Sequence, residues 1–148
     1  MKIKVMIMKR FLLLFLVALV SISCQEEGLL TEVEVGSIPI SPDAVLKYSG
    51  TFIPTSGINV AGGVKIYRDG NQFKLSLDEF DVSFGPDLKI YLSTSASPNA
   101  FINLGALGNG EHQTYLIPAE VDFNLYNHVL IYCQQYSHLY AIAELHQN

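Results

Sequence analysis

From Tyr48 onward, apolar and polar residues alternate over short runs separated by glycine, proline, asparagine and aspartate. A period of two is the mark of strands that pack one face and wet the other. Val64 and Ile66 alternate with Lys65 and Tyr67, and Asp69-Gly70-Asn71 then predicts a hairpin turn. Phe73, Leu75 and Leu77 form the returning strand, and Phe80, Val82 and Phe84 continue the alternation. Gly85-Pro86-Asp87 turns the chain, after which Leu88, Ile90 and Leu92 alternate with Lys89 and Tyr91. Further strands are predicted over residues 50–53, stopped by Pro54, over 101–104, over 112–117, ended by Pro118, over 126–133 and over 140–145. Loops are expected over 57–63, over 93–100 and at Gly108-Asn109-Gly110. One helical turn is predicted, with Ser41 as cap and Pro42 at its first position. Short strands at this spacing, without a long helical pattern, predict an all-β fold: a single antiparallel β-sandwich domain over 48–148.

The strand over 126–133 carries no charged residue. Val129, Ile131 and Cys133 share one face, Leu130 and Tyr132 the other, and nothing charged interrupts either. This strand is expected to be buried on both sides, with Cys133 at its end.

Ahead of the domain the pattern changes. Lys2, Lys4, Lys9 and Arg10 precede an apolar run from Phe11 to Val20 that ends in Ser21-Ile22-Ser23-Cys24. A basic start, a short apolar centre and small residues before a cut describe a secretory signal over 1–23, with Met1 or Met8 as its start. Ten apolar residues are too few for a permanent membrane span. Ser21-Ile22-Ser23-Cys24 resembles a bacterial lipobox, with Ser21 in place of the usual leucine, and the resemblance implies lipidation of Cys24. Gln25-Glu26-Glu27 is similar to the acidic surface-export tag of some Gram-negative lipoproteins. Residues 24–47 are thus read as a lipidated cysteine and acidic tether. The expected location is the cell envelope, lipid-anchored at the outer membrane and facing outward, with each buried methylene contributing roughly 0.8 kcal/mol to the anchor. A soluble secreted chain with an acidic start is the plainer alternative.

Loss of the leader removes four of nine basic residues and none of fourteen acidic ones, leaving a net charge of −9. The remaining cations, Lys47, Lys65, Arg68, Lys74 and Lys89, are scattered, so the basic patch that nucleic-acid binding needs is missing. With Cys24 consumed by lipid, Cys133 has no partner for an internal disulfide.

Three blocks resemble the DM13 domain family. The first is Phe80 with Gly85-Pro86-Asp87-Leu88 and Tyr91-Leu92-Ser93; the second is Leu104-Gly105 and Leu107 with Gly110, Gln113, Tyr115 and Pro118. The third runs from Tyr126 through Val129, Ile131, Tyr132 and Cys133 to Tyr136, Tyr140, Ala143 and Leu145. The resemblance implies a β-sandwich and an electron-transfer role in which the cysteine, here Cys133, acts as a bare thiol or as a ligand to a prosthetic group such as haem. Tyr132 stands where tryptophan is usual, Tyr136 and Tyr140 where phenylalanine is, and His138 where the family is apolar.

The residues themselves leave two classes of function open. In the first, Cys133 is the redox residue, with His138 as a candidate cofactor ligand and a redox protein as the candidate partner. In the second, Cys133 is core packing, as buried unpaired cysteines commonly are, in a redox-inert module that binds a carbohydrate or protein. No cation adjoins Cys133 in sequence to favour the thiolate. Covalent haem attachment is excluded without a Cys-x-x-Cys-His run, and non-covalent haem must draw on Cys133, His112, His128, His138 or His146. Cys133-x4-His138 mimics a blue-copper loop, but the methionines all lie in the leader, and His112 or His128 must supply a second imidazole. Asp78, Glu79, Asp81 and Asp87 are either a hard-cation site or, better, a solvated acidic edge. Tyr67 and Tyr91 lie opposite the apolar positions of their strands and are expected at the surface, where tyrosine faces stack on sugars. No hydrolase motif is present, so the chain reads as an accessory module rather than a stand-alone catalyst.

Overall fold

Two five-stranded antiparallel sheets face each other across one apolar layer in the computed structural model, which describes residues 38–148. The signal over 1–23, Cys24 and the tether as far as residue 37 lie outside the described residues. The strands are β1 (Val45–Thr51), β2 (Ile53–Pro54), β3 (Val60–Asp69), β4 (Gln72–Val82), β5 (Leu88–Ser93), β6 (Phe101–Ala106), β7 (Gln113–Ile117), β8 (His128–Cys133), β9 (His138–Glu144) and β10 (His146–Gln147). One sheet has the order β10-β1-β3-β4-β7, the other β2-β9-β8-β5-β6. The expected all-β sandwich is what the chain forms. Pro54, which has no N–H to give a ladder, sits in the edge strand β2, where proline is tolerated.

Alternation located most strands because half of each is buried. Val64, Ile66, Leu75, Leu77, Ile90, Leu92, Val129 and Ile131 all point inward and are fully buried. At roughly 25 cal/mol per Å² of apolar surface, this layer is the main stabilising term.

The departures occur where the ladder is irregular. The predicted helical turn is a β-turn closed by the Ala44 N–H donating to the Ser41 carbonyl (3.0 Å), and it leads directly into β1. β1 therefore begins at Val45, within the stretch read as tether. Its register shifts between Leu46 and Tyr48, which breaks the period of two there and hides the strand from a pattern search. Likewise β3 begins at Val60, inside the predicted loop over 57–63. Gly62 is there for a bulge: its φ is +89°, and a Cβ would lie 2.5 Å from the carbonyl oxygens of Asp78 and Glu79. Across from it β4 carries the extra residue, with Glu79 at φ 49°. That bulge explains why inward positions switch from odd (Phe73, Leu75, Leu77) to even (Phe80, Val82) along one strand.

Two aromatic positions reverse their expectation. Phe84, in phase with Phe80 and Val82, lies beyond the end of β4 and is 90% exposed. Tyr91, expected at the surface, is 1% exposed because Phe101 stacks on it at 4.0 Å and Tyr132 at 5.4 Å.

Candidate site around Cys133

β8 is flanked by β5 and β9, so its residues are covered from both neighbours. Val129, Ile131 and Cys133 face the core, and Leu130, in register with Tyr91 and Ile142 on the other face, is fully buried too. Cys133 is an unpaired thiol with no solvent exposure, opposite Leu88 of β5 and His138 of β9.

The pairing with His138 depends on a bulge. Between Ile131 and Cys133 the β9 strand spends one residue more than β8: Ile131 pairs with Ala141, but Tyr132 pairs with Leu139. Tyr140 is the extra residue, and both Tyr140 and Ala141 pack into the core. The extra residue restores His138 to the Cys133 face, whereas uninterrupted alternation from Ala141 would have turned it away. Residues directly opposite in an antiparallel pair have Cβ atoms about 4.5–5.5 Å apart. His138 is exposed, and its ring meets that of Tyr140 edge-on at 5.4 Å. The site is thus a buried thiol with one imidazole at its rim.

Three loops close this end of the sandwich. The Gln134 N–H donates to the Asp87 carbonyl (3.0 Å), tying the β8–β9 hairpin to the Gly85-Pro86-Asp87 turn. The Tyr140 hydroxyl donates to the Phe84 carbonyl (3.3 Å), and the Thr55 N–H donates to the Tyr140 carbonyl (2.9 Å). Gly85 allows this approach, since a Cβ there would lie 2.6 Å from Leu88 Cδ2 and 3.0 Å from the Tyr140 hydroxyl.

A fourth loop, between β6 and β7, is fixed by a buried polar network that the sequence did not announce. The Tyr115 hydroxyl donates to Gln113 Oε1 (2.5 Å), and the Gly108 N–H donates to the same oxygen (2.9 Å) and to the Tyr115 hydroxyl (3.0 Å). Gln113 Nε2 in turn donates to the Gly110 carbonyl (2.8 Å). Burial raises the Tyr115 phenol above its ordinary pKa, with the Gly108 N–H opposing. A cleft of about 400 Å³ opens between this loop and residues 80–88.

The other candidates are dispersed. His128 is half-buried on the face opposite Cys133, with Nδ1 2.7 Å from Asn127 Oδ1. His112 is exposed, 3.7 Å from Asp78, and His146 lies on the sheet-edge strand β10. A copper set of Cys133, His138 and either His112 or His128 is therefore not assembled. Among the described residues, no three His, Cys, Asp or Glu side chains are grouped to hold a metal. In the acidic run, Asp78 is bridged to Lys65 (2.8 Å) and Asp87 to Lys89 (2.7 Å). Burial pulls the Asp78 pKa up, but the hydrogen bond and charge of Lys65 outweigh it and hold the carboxyl below its ordinary value. Lys65 is raised by the same bond. Tyr67 is half-buried, and Tyr91 is covered, so no pair of open tyrosine faces results.

Haem does not fit at Cys133 as the residues stand. The thiol is sealed by the core, and neither the 400 Å³ cleft nor the larger one of about 1030 Å³ near Lys65, Asp78 and Glu144 is bordered by it. Ligation of an iron by the sulfur would require β9 or the turn at Gly85 to move aside.

A family model described as "Electron transfer DM13" matches residues 52–145, well over half of the chain. No curated protein and no solved structure was found to match.

Proposed function

Because the chain belongs to the DM13 family, we propose that it is an electron-transfer accessory module acting through the bare thiol of Cys133, held at the cell envelope by lipid on Cys24. The observation that carries this reading is the unpaired, fully buried Cys133 with His138 restored to its face by the Tyr140 bulge. The family description supplies the class of chemistry, and the sealed surroundings favour the bare thiol over a prosthetic-group ligand.

In the proposed step, Cys133 gives one electron to a strongly oxidising one-electron centre on a partner protein. Its proton passes to the His138 imidazole, leaving a thiyl radical. A second one-electron donor then restores the thiol as His138 returns the proton. The dry core prevents the radical from meeting water, oxygen or a second thiol. His138 serves as proton acceptor, and Tyr140 holds both His138 and the Phe84 loop in place.

A second reading is favoured by the same burial. A cysteine with no exposure, among Leu88, Ile131 and Tyr140, behaves as a small hydrophobe, and the domain would then be a redox-inert surface binding module.

A spectrum with metal analysis, before and after haem, separates ligand from bare thiol, with Cys133→Ala alongside. A photogenerated ruthenium(III) oxidant then tests the thiol itself. The expected result is no Soret band and a sulfur-centred radical that is absent in Cys133→Ala and slowed in His138→Phe. Identical radical yields, confined to tyrosine, in wild type and Cys133→Ala would leave the packing reading in its place.

A further inference from the structure

The end of the sandwich above Cys133 combines features that neither the fold nor the thiol requires. Phe84 is 90% exposed and Tyr136 66% exposed, on neighbouring loops joined by the Gln134–Asp87 and Tyr140–Phe84 hydrogen bonds. Phe84 is not held out by slack in the chain. On one side the Ser83 N–H donates to the Asn59 carbonyl (2.9 Å); on the other Gly85 is packed too closely for a Cβ. The backbone thus presents a large apolar ring to solvent in a fixed position, as the anchor residues of protein interfaces are presented.

The charge around it is one-sided. Loops 55–59, 83–87, 107–112 and 134–137 carry Asp87 and Glu111, and contain no lysine or arginine. Asp81 adds a third carboxylate beside the 400 Å³ cleft, and Lys89 answers only Asp87. The basic residues Arg68 and Lys74 lie along the strands toward the opposite end, at the Gly70 hairpin.

We infer that this end is the docking surface for a protein whose own surface has an apolar centre and a lysine- or arginine-rich rim, one cation of which seats in the cleft between Asp81 and Glu111. The inference deepens the redox reading and rests on it only for what the partner carries, a one-electron centre. Its chemistry comes from the exposed ring and the acidic rim. Complementary charge steers encounter and the apolar anchor holds the complex, so binding falls with salt and with loss of Phe84.

The test uses the full-length chain in non-ionic detergent and, as probe, a small cytochrome whose exposed haem edge is ringed by lysines, with an acidic flavodoxin as control. Affinity is measured across ionic strength, and zero-length carboxyl–amine cross-links are mapped. The expected result is saturable binding of the basic probe alone, weakened by salt, with cross-links at Asp81, Asp87 or Glu111. Phe84→Ser should weaken it about tenfold or more. No saturable binding, cross-links mainly at Asp43, Glu120 or Asp122, or an unchanged Phe84→Ser affinity would each overturn the inference. So would a Phe84→Ser effect seen only in partition onto phosphatidylcholine vesicles, which would make the ring a membrane contact. Electron transfer is not needed for this readout, and Cys133→Ala should bind as wild type does. The surface and the redox thiol therefore fail separately, one by binding and the other by the flash signal.

Discussion

Replacement of Cys133 by alanine and by serine should give a fixed order of stability. The thiol has no exposure and lies in the core beside Leu88, Ile131 and Tyr140. Alanine removes one sulfur and leaves a small cavity at the end of a strand, where neighbours can partly close it, at a cost of about 1–2 kcal/mol. Serine nearly preserves the shape but buries a hydroxyl where the ladder already occupies the nearby carbonyls. An unsatisfied hydroxyl costs about 1–3 kcal/mol, in addition to about 1 kcal/mol for the lost sulfur burial. Serine should therefore be the more damaging change by about 1 kcal/mol or more, equivalent to about 4–6 °C in Tm for a domain of this size. Urea unfolding followed by far-ultraviolet circular dichroism measures both, with unchanged m-values as the check on two-state behaviour. A thiol reagent on the native wild type should react only as fast as the core opens. If serine proved equal to wild type, or milder than alanine, the position would hold a polar partner, and both the packing account and the sealed-thiol chemistry would be wrong.

Gly62→Ala should cost about 2–4 kcal/mol, since φ +89° and carbonyl oxygens 2.5 Å from the new Cβ act together; a urea midpoint near wild type would remove the β3–β4 bulge from the account. Tyr115→Phe should cost about 1–2 kcal/mol and speed amide exchange at Gly108, and unaltered exchange there would mean that the loop is fixed by other contacts. Asp69 accepts from Lys74 Nζ (2.6 Å) and the Ser41 N–H (3.1 Å), which lower its pKa from 3.8 to about 2. A lowered carboxyl stabilises the fold fully above its unfolded pKa and loses that contribution as pH falls through the folded one. Asp69→Asn should therefore flatten the decline in stability between about pH 4 and pH 2; an identical decline in the variant would assign it to other carboxylates.

What was legible from residues alone was whatever repeats locally. The period of two at Val64–Ile66, Leu75–Leu77, Leu88–Leu92 and Val129–Cys133 named the strands and their inner faces, because each position's burial follows from its neighbours two away. The hairpin at Gly70-Asn71 and the turn at Pro86-Asp87 followed from glycine and proline stereochemistry, which is local as well. The three blocks pointed to the family, and Cys133 to the candidate site.

Bulges and loop packing were decided only by the tertiary structure, because they depend on the strand opposite. Gly62 looked like loop until Glu79 stood across from it, and Val45 and Leu46 looked like tether until β3 paired with them. Phe84 kept the inward phase of β4 yet ended exposed, since the Tyr140 hydroxyl and Gly85 fix where the backbone leaves the sheet. His138 reached the Cys133 face through one extra residue in β9, a shift of register that no alternation within β9 alone records.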